Sequence, residues 1–165
     1  MYPGPQCNII GMAAQNRADK TISEKGKNIM QYTIEEKLPT PAQWMALRES
    51  VGWATFPHKD AERSLAITPY CVCAFEGERL IGMGRVLGDC VIAFYVGSVI
   101  VLPEHQGRGV GSKIMRRLMA YVEANAVPGA VASLMAVKGK EDYYTQFGFE
   151  HRPNEFWGSG MSRRF

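Results

Sequence analysis

From Val91 to Leu102 the chain is almost uninterruptedly apolar, and Pro103 ends the run. A strand without polar alternation is expected to be covered on both faces, so this one belongs inside a sheet flanked by helices. Directly after it comes Gln106-Gly107-Arg108-Gly109-Val110-Gly111-Ser112, three alternate glycines leading into a helical pattern. Val110, Ile114, Leu118 and Val122 form one apolar stripe over 110–125, supported by Met115 and Met119, while Lys113, Arg116 and Arg117 face water. Buried strand, glycine loop and amphipathic helix together set an α/β class.

The loop has a chemical reading. Free N–H groups at a helix start carry the positive end of the helix dipole, and glycines let that backbone approach an anion. A pyrophosphate cradle fits; on the glycines alone, a tight strand-to-helix turn with no ligand also fits. Arg108 and Lys113 add charge or are simply solvated. A Walker loop is excluded because Gly111 is followed by Ser112-Lys113, out of register for the phosphate lysine. A dinucleotide fingerprint is excluded by the G-x-G-x-G spacing and by the lack of an acidic residue at the end of the next strand.

The rest of the chain supplies the layers. Residues 1–29 are polar and aperiodic and read as a poorly structured extension, leaving 30–165 as one domain. Thr40-Pro41 offers an N-cap and a first-turn proline for a helix carrying Trp44, Leu47 and Val51, closed by Gly52. A second short helix from about Pro57 carries Ala61 and Leu65. Tyr70–Phe75 and Leu80–Leu87 read as a hairpin around Glu76-Gly77-Glu78. A strand over 130–137, a short helix over 140–147 stopped by Gly148, and two short terminal strands complete a mixed α+β sheet with helices on its faces.

Composition narrows the function classes. A formal charge of +3 does not argue for nucleic acid, and no apolar run reaches the roughly 18 residues of a membrane span. With no secretory pattern at the start, the cytoplasm is the default. Cys7, Cys71, Cys73 and Cys90 include no CxxC, and the histidines lie far apart, so buried or idle thiols and no metal are expected.

Gln106, Gly109 and Gly111 after a hydrophobic strand resemble the acetyl-CoA motif of the GNAT superfamily of N-acetyltransferases. Downstream, Tyr143-Tyr144-Thr145-Gln146-Phe147-Gly148-Phe149 looks like that family's FYxxxGF run. The resemblance implies a sheet splayed just after Gly97, with the backbone at Val99, Ile100 and Val101 pairing with a pantetheine arm and 106–112 holding the pyrophosphate. It implies that Tyr144 touches the coenzyme and protonates the leaving thiolate, while Tyr143 belongs to the core. Two positions depart from the pattern. Ser98 stands where relatives often carry an acidic residue, and Val137 where they often carry Asn. Asp89, Glu104 and His105 are the nearest alternatives for a base, the last two reading more naturally as loop surface. Trp53, Phe56, Tyr70 and Trp157 are candidates for an aromatic acceptor wall. The expected activity is acetyl transfer from acetyl-CoA to a small-molecule amine. A peptide acceptor and a non-catalytic acyl-CoA-binding module remain open. A homodimer is common in the family, and nothing in these residues requires one.

Overall fold

The computed structural model describes residues 19–21 and 31–164. Its sheet has six strands, in spatial order β1 (Asp19–Thr21), β2 (Tyr32–Glu35), β3 (Tyr70–Glu76), β4 (Arg79–Gly88), β5 (Ala93–Val101) and β6 (Val131–Ser133). Neighbours are antiparallel as far as β5, which pairs in parallel with β6. The helices are α1 (Pro41–Glu49), α2 (His58–Ala66), α3 (Val110–Asn125) and α4 (Glu141–Thr145). This is the mixed sheet expected from the sequence. Of the extension predicted over 1–29, Asp19–Thr21 pairs with Tyr32–Ile34, and the remainder lies outside the described residues.

The helices start and stop where local chemistry directs. Thr40 and Gln43 form a reciprocal capping box at α1, Thr40 Oγ1 accepting from the Gln43 N–H at 3.2 Å. Trp44 and Leu47 of α1, and Ala61 and Leu65 of α2, point inward and are buried. In α3 the stripe Val110, Ile114, Leu118 and Val122 is buried, with Met115 beside it. Each such large side chain contributes about 1.5–3 kcal/mol on leaving water.

Glycines decide how closely α3 lies on β4. A Cβ at Gly84 would stand 2.7 Å from Leu118 Cδ1 and 2.9 Å from Ile114 Cγ2, and one at Gly82 would stand 3.1 Å from Ile114 Cδ1. Alternating with them, Met83 and Arg85 point to the opposite face, where Arg85 meets Ser64 of α2 and Trp44 of α1. Strand β4 is buried on both faces from Leu80 to Val86, as β3 is from Cys71 to Phe75.

Strand β5 differs from expectation. Val91, Ile92 and Ala93 are exposed, and beyond them only Phe94, Val96 and Ile100 are buried, the rest of the strand being half-buried. The register supplies the reason. Arg85 faces Gly97 and Met83 faces Ile100, so Gly84 is opposed by both Ser98 and Val99. This is a β-bulge on β5, and Ser98 adopts φ 52 within it. Pairing with β6 stops at Tyr95 opposite Ser133, two residues before the predicted splay point, and the β5 edge beyond is left open on that side. The two predicted terminal strands do not form, and 149–164 carries no regular element. Asn154 Oδ1 instead accepts from the N–H groups of Phe156 and Trp157, a local turn that competes with a ladder next to Pro153.

Candidate active site

The bulge, the glycine loop and α4 converge on one region. Leu102 N–H donates to Ile81 O on β4 at 2.9 Å. Alternation therefore turns the backbone groups of Val99 and Val101 to the opposite edge, the one β6 leaves open, while Ile100 faces β4. The loop then makes a 3-10 turn over Pro103–His105 and enters α3 through Gly109, at φ 81, with no side-chain cap. Lys113 N–H is bonded to Gly109 O, so the N–H groups of Val110, Gly111 and Ser112 precede the first helical bond and point out of the helix end. Gly107, at φ 70, and Gly109 have open space where a Cβ would stand. Geometry and dipole together make this end an anion-binding concavity.

Gln106 has another task. Its Nε2 donates to Val101 O at 2.9 Å and its N–H to Pro103 O at 3.2 Å. Through these two bonds Gln106 closes the loop against β5. Val110 is buried by its side chain and contributes through its backbone. Tyr143 packs onto the loop, its Oη 3.0 Å from where a Gly111 Cβ would be, so Gly111 admits the close approach of α4.

Tyr144 lines a cavity of about 320 Å³ with Arg48, Trp53, Arg85, Tyr95, Gly97, Ser98, Val99 and Val137. A larger cleft of about 820 Å³ meets it at Tyr95, Leu134, Met135 and Tyr144, and runs along β6 to the C-terminal tail. Burial, with Tyr143 and Tyr95 nearby, pushes the Tyr144 phenol above its ordinary value, so it is protonated at neutral pH.

The aromatic candidates separate. Trp53 lines the smaller cavity, and Phe56 reaches it only through Arg48, whose Cζ lies 5.1 Å from the Phe56 ring centroid. Tyr70 is not in the site: it stacks on Tyr121 of α3, with centroids 4.1 Å apart and planes 4° apart. Trp157 lines the larger cleft under Arg152, at 4.5 Å. The three candidate bases are also elsewhere. Asp89 Oδ1 accepts the N–H groups of Val91, Ile92 and Ala93, and Glu104 pairs with Arg79 at 2.7 Å. His105 is buried behind the loop rather than at its surface, 3.6 Å from Glu76.

Arg48, Arg85 and Tyr95 are site residues that sequence reasoning missed. For Arg85 a signal existed, since one arginine interrupts the apolar stretch Leu80–Leu87. For Tyr95 the pair with Gly97 is the cue: a Cβ at Gly97 would stand 3.1 Å from the Tyr95 ring. Cys71 and Cys73 are buried neighbours with Sγ atoms 4.0 Å apart. No helix among the described residues is long and apolar enough to cross a membrane.

Comparison with known proteins agrees with this geometry. An acetyltransferase (GNAT) domain model matches residues 68–151. A probable acetyltransferase from methicillin-resistant Staphylococcus aureus, of known crystal structure, is 30% identical with a TM-score of 0.76, covering 81% of this chain and 99% of that one. An uncharacterized N-acetyltransferase of Prochlorococcus marinus is 28% identical, and the match covers 67% of this chain and 65% of that protein, a little under two thirds of its length. A GNAT family acetyltransferase from Brucella melitensis, crystallised in complex with acetyl-CoA, shares the fold at 23% identity and a TM-score of 0.52, covering 74% of this chain and 84% of that one. With a family match spanning half its residues and the motif, bulge and glycine loop in place, the chain belongs to the GNAT acetyltransferase family.

Proposed function

We propose that this protein transfers an acetyl group from acetyl-CoA to the primary amine of a small molecule, by direct attack within a ternary complex. The observation that carries the reading is Tyr144, a protonated phenol facing a cavity that adjoins the open edge of β5. The residues suit the coenzyme on two counts. The outward backbone of Val99 and Val101 can pair with an extended amide-bearing arm as a strand would. Gly107, Gly109 and the first N–H groups of α3 suit a pyrophosphate, and the Brucella relative binds acetyl-CoA.

When bound, acetyl-CoA supplies an activated thioester whose C–S bond breaks as the amine nitrogen forms the new C–N bond. The backbone N–H of Val99 is placed to donate to a developing oxyanion. Tyr144 Oη gives its proton to the departing sulfur and regains one released by the amine through water. Among the described residues no carboxylate lines the smaller cavity, and the amine proton passes to solvent. A cavity of about 320 Å³ is of small-molecule size, which favours a free amine over a peptide acceptor.

Calorimetry with acetyl-CoA and a thiol-release assay across a panel of free amines and peptides test the reading. Micromolar binding with turnover of free amines is expected. Absence of acetyl-CoA binding at high micromolar concentration overturns the proposal, and turnover of peptides alone overturns its acceptor class.

A further inference from the structure

Arg85 is nine-tenths buried, with relative exposure of 9%, yet every partner it has is neutral. Its Nε donates to Ser98 Oγ at 3.1 Å, and its Nη1 to Ser64 Oγ at 3.1 Å, Thr68 Oγ1 at 3.2 Å and Ser64 O at 3.5 Å. The Trp44 ring lies against its Cζ at 4.3 Å. Among the described residues nothing takes Nη2. Buried charges are ordinarily paired, because neutral hydrogen bonds return only part of the lost hydration.

A second guanidinium faces the same space. Arg48 spends its Nε on Ala54 O at 2.7 Å and lies among Trp53, Phe56 and Trp44, at 5.5, 5.1 and 5.7 Å, with no carboxylate bonded to it among the described residues. Both arginines line the smaller cavity beside Tyr144, and among the described residues its lining holds no Asp or Glu. Two like charges held at one cavity without a counter-ion form a site for an anion.

We infer that Arg48 and Arg85 form an anion subsite for the acceptor, which is therefore an amine carrying a carboxylate or phosphate a few bonds from its nitrogen. The inference rests on the acetyltransferase reading and names the substrate class of that same cavity. Tyr144 shares the lining, so an acceptor anchored at the guanidinium groups presents its nitrogen to the reacting end. The positive field also disfavours the ammonium form of the acceptor, easing loss of its proton where no side-chain base is present. A cationic amine without an acid group meets two like charges there.

Matched acceptors test this: phenylalanine against phenylalaninamide, and O-phosphoethanolamine against ethanolamine, followed by thiol release. The anionic member of at least one pair should have a kcat/KM about tenfold or more higher, and whichever pair responds identifies the anion. Arg48→Gln and Arg85→Lys should bring that ratio toward one through KM, with acetyl-CoA affinity by calorimetry unchanged. Equal or better turnover of the neutral members overturns the inference, as does a ratio that survives both substitutions. Where no amine in the panel turns over, 15N NMR of the arginine side chains reads the subsite directly. Acetate or inorganic phosphate should then shift the Arg48 and Arg85 signals, and no shift at about tens of millimolar refutes the subsite. Failure to bind acetyl-CoA is a separate result that removes the acetyltransferase reading itself.

Discussion

Replacing Tyr144 with Phe deletes one oxygen and leaves the ring, whose edge-on contacts to Tyr143 and Phe149 have centroids 5.0 and 6.3 Å apart. The hydroxyl makes no hydrogen bond to the described residues, so its loss should change folding stability by no more than about 0.5 kcal/mol. Catalysis should respond very differently. A positioned general acid contributes about 10²- to 10⁴-fold, or roughly 2.7–5.4 kcal/mol of barrier at about 1.36 kcal/mol per decade. Thiol release at saturating acetyl-CoA should show kcat down by that factor, with calorimetric affinity for acetyl-CoA and the melting curve close to wild type. Because burial raises the phenol above its ordinary value of about 10, the Tyr144 limb of kcat belongs above pH 10. The protonated form is fully populated below that and lost as pH rises through the folded-state value. A wild-type kcat in the Phe variant would refute the acid role. Loss of coenzyme affinity in step with kcat would instead make Tyr144 a packing residue.

Further predictions address the frame that holds the site. Gly84→Ala places a Cβ against Leu118 and Ile114 and should cost about 1–3 kcal/mol in denaturant unfolding, since Ile114 Cγ2 is held close to its backbone. Gly109→Ala forces φ 81 on a residue with a Cβ, costing about 1–2 kcal/mol, and should weaken acetyl-CoA binding in calorimetry more than Gly109→Asn. Asp89→Ala removes the acceptor for three backbone N–H groups and should lower the melting temperature, with Asp89→Asn retaining most of the loss-prone turn. Those bonds hold the Asp89 carboxyl below its ordinary value, so its contribution is complete above about pH 3.9 and disappears as pH falls through the lower folded value. Acid melts of the wild type and the Asn variant check that direction.

Much of this molecule is legible in local chemistry. Thr40-Pro41, the α3 stripe and the glycines act over a few residues, and the structure places α1, α3 and the glycine turn into α3 where those signals put them. What failed to show depends on partners distant in sequence. Tyr70 looks like any aromatic of an acceptor wall until β3 sets it against Tyr121. Val91 and Ile92 read as core, yet the strand begins beyond them and they lie exposed. That Arg48 and Arg85, 37 positions apart, line one cavity has no sequence signature, because a solvated charge and one facing a cavity use the same letter. The tail misled for a different reason, since side-chain bonding at Asn154 outcompetes strand pairing over so short a segment.

The bulge at Ser98 makes β5 a strand in which chain length counts for more than residue identity. Ahead of it, Gly97 shares the α1–α2 side with Arg85; after it, Val101 shares the α3 side with Gly82. The extra residue thus swaps odd and even positions between the two layers midway along one strand. Deleting Ser98 would restore a regular ladder in which Arg85 still faces Gly97, Met83 still faces Ile100 and Gly82 still faces Val101. What would be lost is the φ 52 conformation at Ser98 and the hydroxyl that accepts from Arg85 Nε. Substitutions across this segment can be absorbed one at a time, whereas a single-codon deletion would remove the kink of β5 at the smaller cavity, beside Gly97, Ser98 and Val99.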